Sequence, residues 1–377
     1  MVICHACGQE VPEGAYCILC GSPLGAEASE GRTRRRFSAA PHEGLHRPAL
    51  ISSIFPHLPR ASMMTFRMAL ALGLGVVIVL AVAGLYTLAL VAAAVLVPLL
   101  TVLYLWDVDI YEDEPASVMA FTMGWGAVAG VVVGLIGRAA LPSGATLFVR
   151  SQSSTALTRG VLLPLLATAL MVAGPLILLP YRKFNDVLDG ATFGGAAAVT
   201  FAGAQVITQS YSFLASAGLR PVGTVGFWVI RLLELAVGVP VLAAGAVGAA
   251  VGAFWLRYRA PVRDRDALGL LGRPPLALAT AASLLVLGSL AQVYLPALWA
   301  LISLLALDVV ALIWLRRVLH LGLIEESLEI PVGGEIVCPN CGQPTPQHTF
   351  CRNCGIALAA LPKVRPPKRA ESPEGTP

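Results

Sequence analysis

The sequence predicts an all-α, polytopic membrane bundle of about eight spans, with a small four-cysteine zinc-ribbon knuckle at each end. Three observations lead there. Of the 377 residues 56% are hydrophobic and only 13% charged, and mean hydropathy is +0.76, outside the range of soluble globular domains. Apolar stretches long enough to cross a bilayer recur along the middle of the chain. All eight cysteines fall into two clusters near its ends.

The first cluster, in residues 1–21, reads Cys4-His5-Ala6-Cys7-Gly8 and Cys17-Ile18-Leu19-Cys20-Gly21. The second, in residues 338–358, reads Cys338-Pro339-Asn340-Cys341-Gly342 and Cys351-Arg352-Asn353-Cys354-Gly355, with the same spacing. Two thiolates two residues apart grip one metal from a tight turn, and a Gly after the second Cys accepts the positive φ that such a turn needs. Each module is too short to bury a core without a staple. The spacing therefore predicts two structural zinc ions, one on Cys4, Cys7, Cys17 and Cys20, the other on Cys338, Cys341, Cys351 and Cys354. A disulfide pair in each module is the alternative staple, and the reducing compartment expected on the ribbon side argues against it. A closed Cys4 site leaves no open position for a substrate, and His5 and His348 are expected as exposed side chains rather than ligands.

Residues 22–66 are rich in Gly, Ser, Pro and Arg, including Arg34-Arg35-Arg36, and are expected to form a flexible linker. The first sixty residues are polar and cysteine-bearing and do not resemble a cleavable signal peptide, so the first span is expected to be the targeting signal. The membrane domain is placed at 67–320. Met68 to Trp106 contains no charged residue or histidine and would make a helix of about 58 Å, against a hydrocarbon core of about 30 Å. It is therefore divided near Gly84–Tyr86, and Pro274–Leu315 near Gln292–Pro296 for the same reason. Further spans are expected at 116–138, 160–181, 192–217 and 222–256. Residues 321–337 are expected as a second linker and 359–377 as a disordered basic, Pro-rich tail.

Eight spans put both termini on one side. With that side inside, its loops hold Arg60, Arg67, Arg182, Lys183, Arg257, Arg259, Arg263, Arg265, Arg273, Arg316 and Arg317, whereas the other side holds Arg138, Arg150, Arg159 and Arg220. Lys and Arg accumulate in cytoplasmic loops, so both termini are expected in the cytoplasm of a prokaryotic plasma membrane.

Polar residues inside the spans are few. Arg231 and Glu234 share a helix face and can neutralise each other, with Pro240 bending the helix beyond them. Asp308 falls near the middle of the last span. Gln205, Gln209 and Gln292 could line a common polar interior or bond between helices. Intramembrane charges are candidate functional sites by default.

Two segments carry a family resemblance. Asp109-Ile110-Tyr111-Glu112-Asp113-Glu114-Pro115 is an acidic loop entering a Gly-rich helix, and Phe184-Asn185-Asp186-Val187-Leu188-Asp189-Gly190 enters a small-residue helix that continues to Phe201 and Gln205. Together they resemble the PrsW family of intramembrane metalloproteases over about residues 107–315. The resemblance implies a membrane protease that cleaves anchored substrates such as anti-sigma factors. Its proposed catalytic motifs are a Glu-Glu-x-x-Lys helix, a Glu four residues after a Phe, and histidines on later helices. Here the first helix reads Leu163-Pro164-Leu165-Leu166-Ala167-Thr168, Gln205 stands four residues after Phe201, and no histidine falls in a span. The expectation is accordingly a catalytically silent relative, a membrane scaffold, adaptor or regulator. Its expected partners are the lipid bilayer, membrane segments, and cytoplasmic proteins met by the ribbons; nucleic acid is not indicated. A divergent protease using Glu234 or Asp308, and a transporter or channel with Arg231 and Glu234 in its path, are the alternatives.

Overall fold

The computed structural model describes residues 1–4, 7–24, 36–37, 39–56, 60–107, 116–139, 156–211, 214, 224–260, 262, 264–329, 331–356 and 358. Eight of its helices are long and apolar enough to cross a membrane. They are α2 (Arg60–Val82), α3 (Tyr86–Asp107), α4 (Ala116–Ala139), α5 (Thr158–Leu178), α6 (Val187–Gln209), α7 (Val225–Tyr258), α8 (Pro274–Tyr294) and α9 (Ala297–Glu329). Large apolar side chains such as Leu72, Val79, Val128 and Trp299 project outward from them, as suits a helix facing lipid. The protein is thus built as a multi-pass membrane bundle.

Both long apolar runs divide where expected. Gly84 takes φ +77°, and its amide and that of Leu85 bond back to Ala81 O and Leu80 O, closing the α2–α3 hairpin. α8 ends at Tyr294 and α9 begins just after Pro296. α6 begins at Val187, five residues before the expected start at 192, because Asp186 and Asp189 form a reciprocal capping box. α9 runs past the expected end near Leu315 to Glu329, about 50 Å in all. Arg316, Arg317 and His320, expected beyond the last helix, therefore lie on it.

The centre of the bundle is made by small residues. Gly126, Gly130 and Gly134 line one stripe of α4, where a Cβ would come within 2.2 Å of Ala197 O, 2.4 Å of Phe201 O and 2.7 Å of Thr208 Cβ. Only glycine lets α4 and α6 approach this closely, the usual basis of helix association in lipid. α6 packs its other side on the Ala- and Gly-rich stretch of α7, buried from Pro240 to Ala253.

The 22–66 stretch is not a free linker where it is described. Strands β3 (Arg36–Phe37) and β4 (Ala40–Gly44) form a hairpin, a short helix α1 (Leu50–Ile54) comes next, and Phe37, Leu45, Ile51 and Phe55 are buried against the bundle. The reason lies far along the chain. Arg316, fully buried on α9, donates to Glu43 at 3.0 Å and to the hydroxyls of Ser52 and Ser53, and stacks over the Phe37 ring at 4.2 Å. Likewise the 321–337 stretch, expected as a linker, holds the end of α9 and strand β5 (Glu335–Val337). The tail at 359–377 lies outside the described residues.

Candidate metal centres and intramembrane cavity

Each terminal module is two knuckles held by a short hairpin, β1 (Val2–Ile3) with β2 (Glu10–Val11) in the first, β5 with β6 (Pro344–Pro346) in the second. In every knuckle the Gly after the second Cys bonds its amide to the carbonyl of the first, and Gly8, Gly21, Gly342 and Gly355 take φ of 71°, 68°, 69° and 70°. The turn aims both thiols at one point. The four Sγ atoms of each module lie within 4.8 Å of one another, with Cys4–Cys20 at 3.7 Å, Cys7–Cys17 at 3.8 Å, Cys338–Cys354 at 3.9 Å and Cys341–Cys351 at 3.8 Å. No disulfide forms, since all eight thiols are free and a bonded pair would stand at about 2.05 Å. Corners of a tetrahedron whose centre lies about 2.3 Å from each sulfur are about 3.8 Å apart, so both sets fit a tetrahedral metal ion. The Asn353 amide and the Asn340 side chain add N–H···S contacts around the second set.

The modules, 334 residues apart in sequence, dock on each other. The Tyr16 amide donates to Arg352 O at 2.9 Å, and the Phe350 amide to Ile18 O at 3.0 Å. Tyr16 corresponds to Phe350 and Ile18 to Arg352 in the matched spacing, so the two bonds are related by a local twofold. His348, expected as an exposed side chain, is instead buried in this joint with Nδ1 3.1 Å from Ile18 O; His5 lies outside the described residues. Ile324 of α9 packs on the first module, so the pair sits at one end of the bundle.

That end also explains one half of the family resemblance. The Asp186 amide donates to Asp189 Oδ2 at 3.2 Å, the Val187 amide to the buried Glu326 Oε1 at 2.6 Å, and Phe184 and Trp255 pack edge-on against Phe193. Gly190 leaves space for the Trp255 ring, which a Cβ would meet at 2.7 Å. The motif is thus a helix start and its packing. Asp109, Tyr111, Glu112, Glu114 and Pro115 lie outside the described residues.

At the opposite end, α5, α6, α7 and α8 enclose a cavity of about 170 Å³. Its origin is two prolines. Pro164 and Pro240 lack the N–H that would bond four residues back, and each is preceded by a π-turn, Thr158–Leu162 and Glu234–Gly238, in which Leu163 and Val239 bond five residues back instead. The widened turns part the helix walls. Arg159 sits in the first and Glu234 opens the second, ion-paired with Arg231 on the same face. Arg231, Gln205, Gln209 and Gln292 all line the cavity, so the three glutamines do share a polar interior, and Arg231 joins them.

Asp308 does not join them. It is buried on α9, with no hydrogen-bond partner for either oxygen among the described residues. Arg159, placed by sequence in an outer loop, and Ser289 are cavity residues that sequence reasoning missed. The signal that could have found them was the pair of mid-span prolines. Among the described residues, groups of three or more Cys, His, Asp or Glu side chains close enough to hold a metal occur only as the two Cys4 sets. Compared with known proteins, the chain matches no family model, no curated protein and no solved structure.

Proposed function

We propose that this protein is a non-enzymatic scaffold or adaptor of the prokaryotic plasma membrane, a PrsW-like bundle without its catalytic groups, closed by two cytoplasmic zinc ribbons that together dock soluble partners. The observation that carries the reading is the ribbon joint. Ribbons tethered only as flexible baits would have no need of matched backbone bonds between them. Joined, they become one rigid head on the bundle. Ile3 and Val337, equivalent by the same spacing, are 67% and 68% exposed, giving that head a symmetric pair of apolar side chains. Zinc is favoured as the ion because all-thiolate tetrahedral sites are its usual structural setting. Arginines gathered in the loops on the ribbon side favour a cytoplasmic location for it. The silence of the membrane domain is supported by Gln205, which keeps the shape of Glu but cannot act as a base, and by the separation of Asp308 from the cavity.

The test is direct. Purified protein should carry two zinc ions per chain and leave a panel of single-span membrane substrates uncut. Chelator-sensitive cleavage lost on Glu234→Gln or Asp308→Asn would replace this reading with that of a divergent protease. The cavity favours a second reading, a transporter or channel; liposome flux that responds to changes at Arg231 and Glu234 would support it.

A further inference from the structure

The cavity's lining is selective in a way that scaffolding does not require. Arg159 and Arg231 both reach it and feel each other's charge. Glu234 pairs with Arg231, and Arg159 and Arg231 are the charged groups among the described lining residues. The remaining polar lining is the amides of Gln205, Gln209 and Gln292 and the Ser289 hydroxyl, all able to donate hydrogen bonds. No carboxylate is among the described lining residues.

Placement adds a second argument. α6 starts at the ribbon end, where Val187 meets Glu326 of α9, so Gln209 at its other terminus marks the far side of the membrane. Arg159 at the start of α5 and Gln292 near the end of α8 lie at that side too. Arginine runs against the charge bias there if the ribbons are cytoplasmic, and guanidinium groups within a span are candidate functional groups by default. Arg138, at the end of α4 on the same side, stacks over Tyr211 at 5.2 Å. The far face thus retains Arg138 and Arg159 against that bias.

Size narrows the ligand. A volume of about 170 Å³ is close to that of cavities that admit a single benzene ring, about 150 Å³, enough for a phosphate-sized group and too small for a folded peptide segment. Arginine forks match phosphate oxygens in pairs, and primary amides fill the remaining acceptor directions. We propose that this cavity binds a phosphate-type oxyanion entering from the far membrane surface, gripped by Arg159 and Arg231 and oriented by the three glutamine amides. The same chemistry is offered by an anionic phospholipid headgroup and by free phosphate. The site does not depend on the scaffold reading, because a bundle that cleaved or transported would hold the anion in the same place.

Full-length protein in uncharged detergent is given labelled inorganic phosphate in equilibrium dialysis; in parallel, it is reconstituted into phosphatidylcholine nanodiscs with and without phosphatidylglycerol, and retained lipid is counted by native mass spectrometry. Saturable retention of at least one probe is expected, roughly tenfold weaker in Arg159→Gln and partly restored in Arg159→Lys. The double change Arg231→Gln with Glu234→Gln, which strands no carboxylate, should weaken it similarly. Retention of phosphate supports a water-open site, and retention of phosphatidylglycerol alone supports a headgroup site. Saturable binding of neither probe, or binding unchanged in Arg159→Gln, overturns the proposal. Unchanged helical circular dichroism and a single elution peak certify each variant as folded, and Arg159→Gln decides alone if the double variant fails that check.

Discussion

On the ribbon side, buried charges meet partners from distant parts of the chain: Arg316 finds Glu43 and two serines, and Glu326 finds the Val187 amide. On the far side, Arg159 of α5 and Arg231 of α7 line an open volume, with Glu234 paired to Arg231. The first kind of charge ties segments together, and its loss should unravel them. The second kind frames a space, and its loss should change what enters that space while the bundle stands. Charge inside a membrane protein therefore means different things depending on whether it converges on protein or on a void.

The comparison breaks most sharply at the metal. Stripping the ions, or changing Cys4 and Cys338 to serine, should unfold both ribbons at a cost of about 10 kcal/mol or more each, while the helices persist. Metal content falling from two to none with helical circular dichroism largely unchanged is the expected result. Acid should do the same. Burial holds the Cys338 thiol up to about 12 when no ion competes, so its proton must leave for metal to bind. Protons and metal compete for the same thiolates, so occupancy is expected to fall as pH drops, as a chromophoric chelator would record.

Next in size is Arg316→Ala, which removes a fully buried guanidinium from Glu43, Ser52, Ser53 and the Phe37 ring, leaves Glu43 with Ser52 and Arg67, and should cost about 3 kcal/mol in detergent stability, freeing residues 36–56 to proteolysis. Gly190→Ala drives a Cβ into the Trp255 ring and should cost about 1–3 kcal/mol by the same assay. The smallest stability effect is expected from Arg231→Gln with Glu234→Gln, within about 1 kcal/mol, because both charges of a buried pair leave together. A far-side loss as large as that of Arg316→Ala would erase the distinction between the two ends.

Those differences track how local each cue was. The ribbons were legible because Cys-x-x-Cys-Gly encodes its turn and its ligands within five residues, and the spans because hydropathy sums along one helix. The 36–56 segment was not, since its composition says linker and its anchor, Arg316, lies 273 residues from Glu43. Arg159 was misplaced for a similar reason. Spacing alone does not tell which face a residue at a helix start will present, and the π-turn that aims it at the cavity comes from Pro164 acting on backbone bonds rather than on hydrophobicity. His348 was taken as exposed because nothing in its own module predicts a second copy docking there.

The twofold bonds between Tyr16, Ile18, Phe350 and Arg352 also impose an order in time. Residues 1–21 leave the ribosome early and can take up metal at once, yet their docking edge stays open until residues 338–358 emerge, after all eight helices have been threaded. The joint then acts as a latch that only a fully inserted chain can fasten. A nascent chain stalled before it keeps one backbone carbonyl, one backbone amide and an aromatic edge on offer, a mark by which quality control could tell unfinished molecules from finished ones.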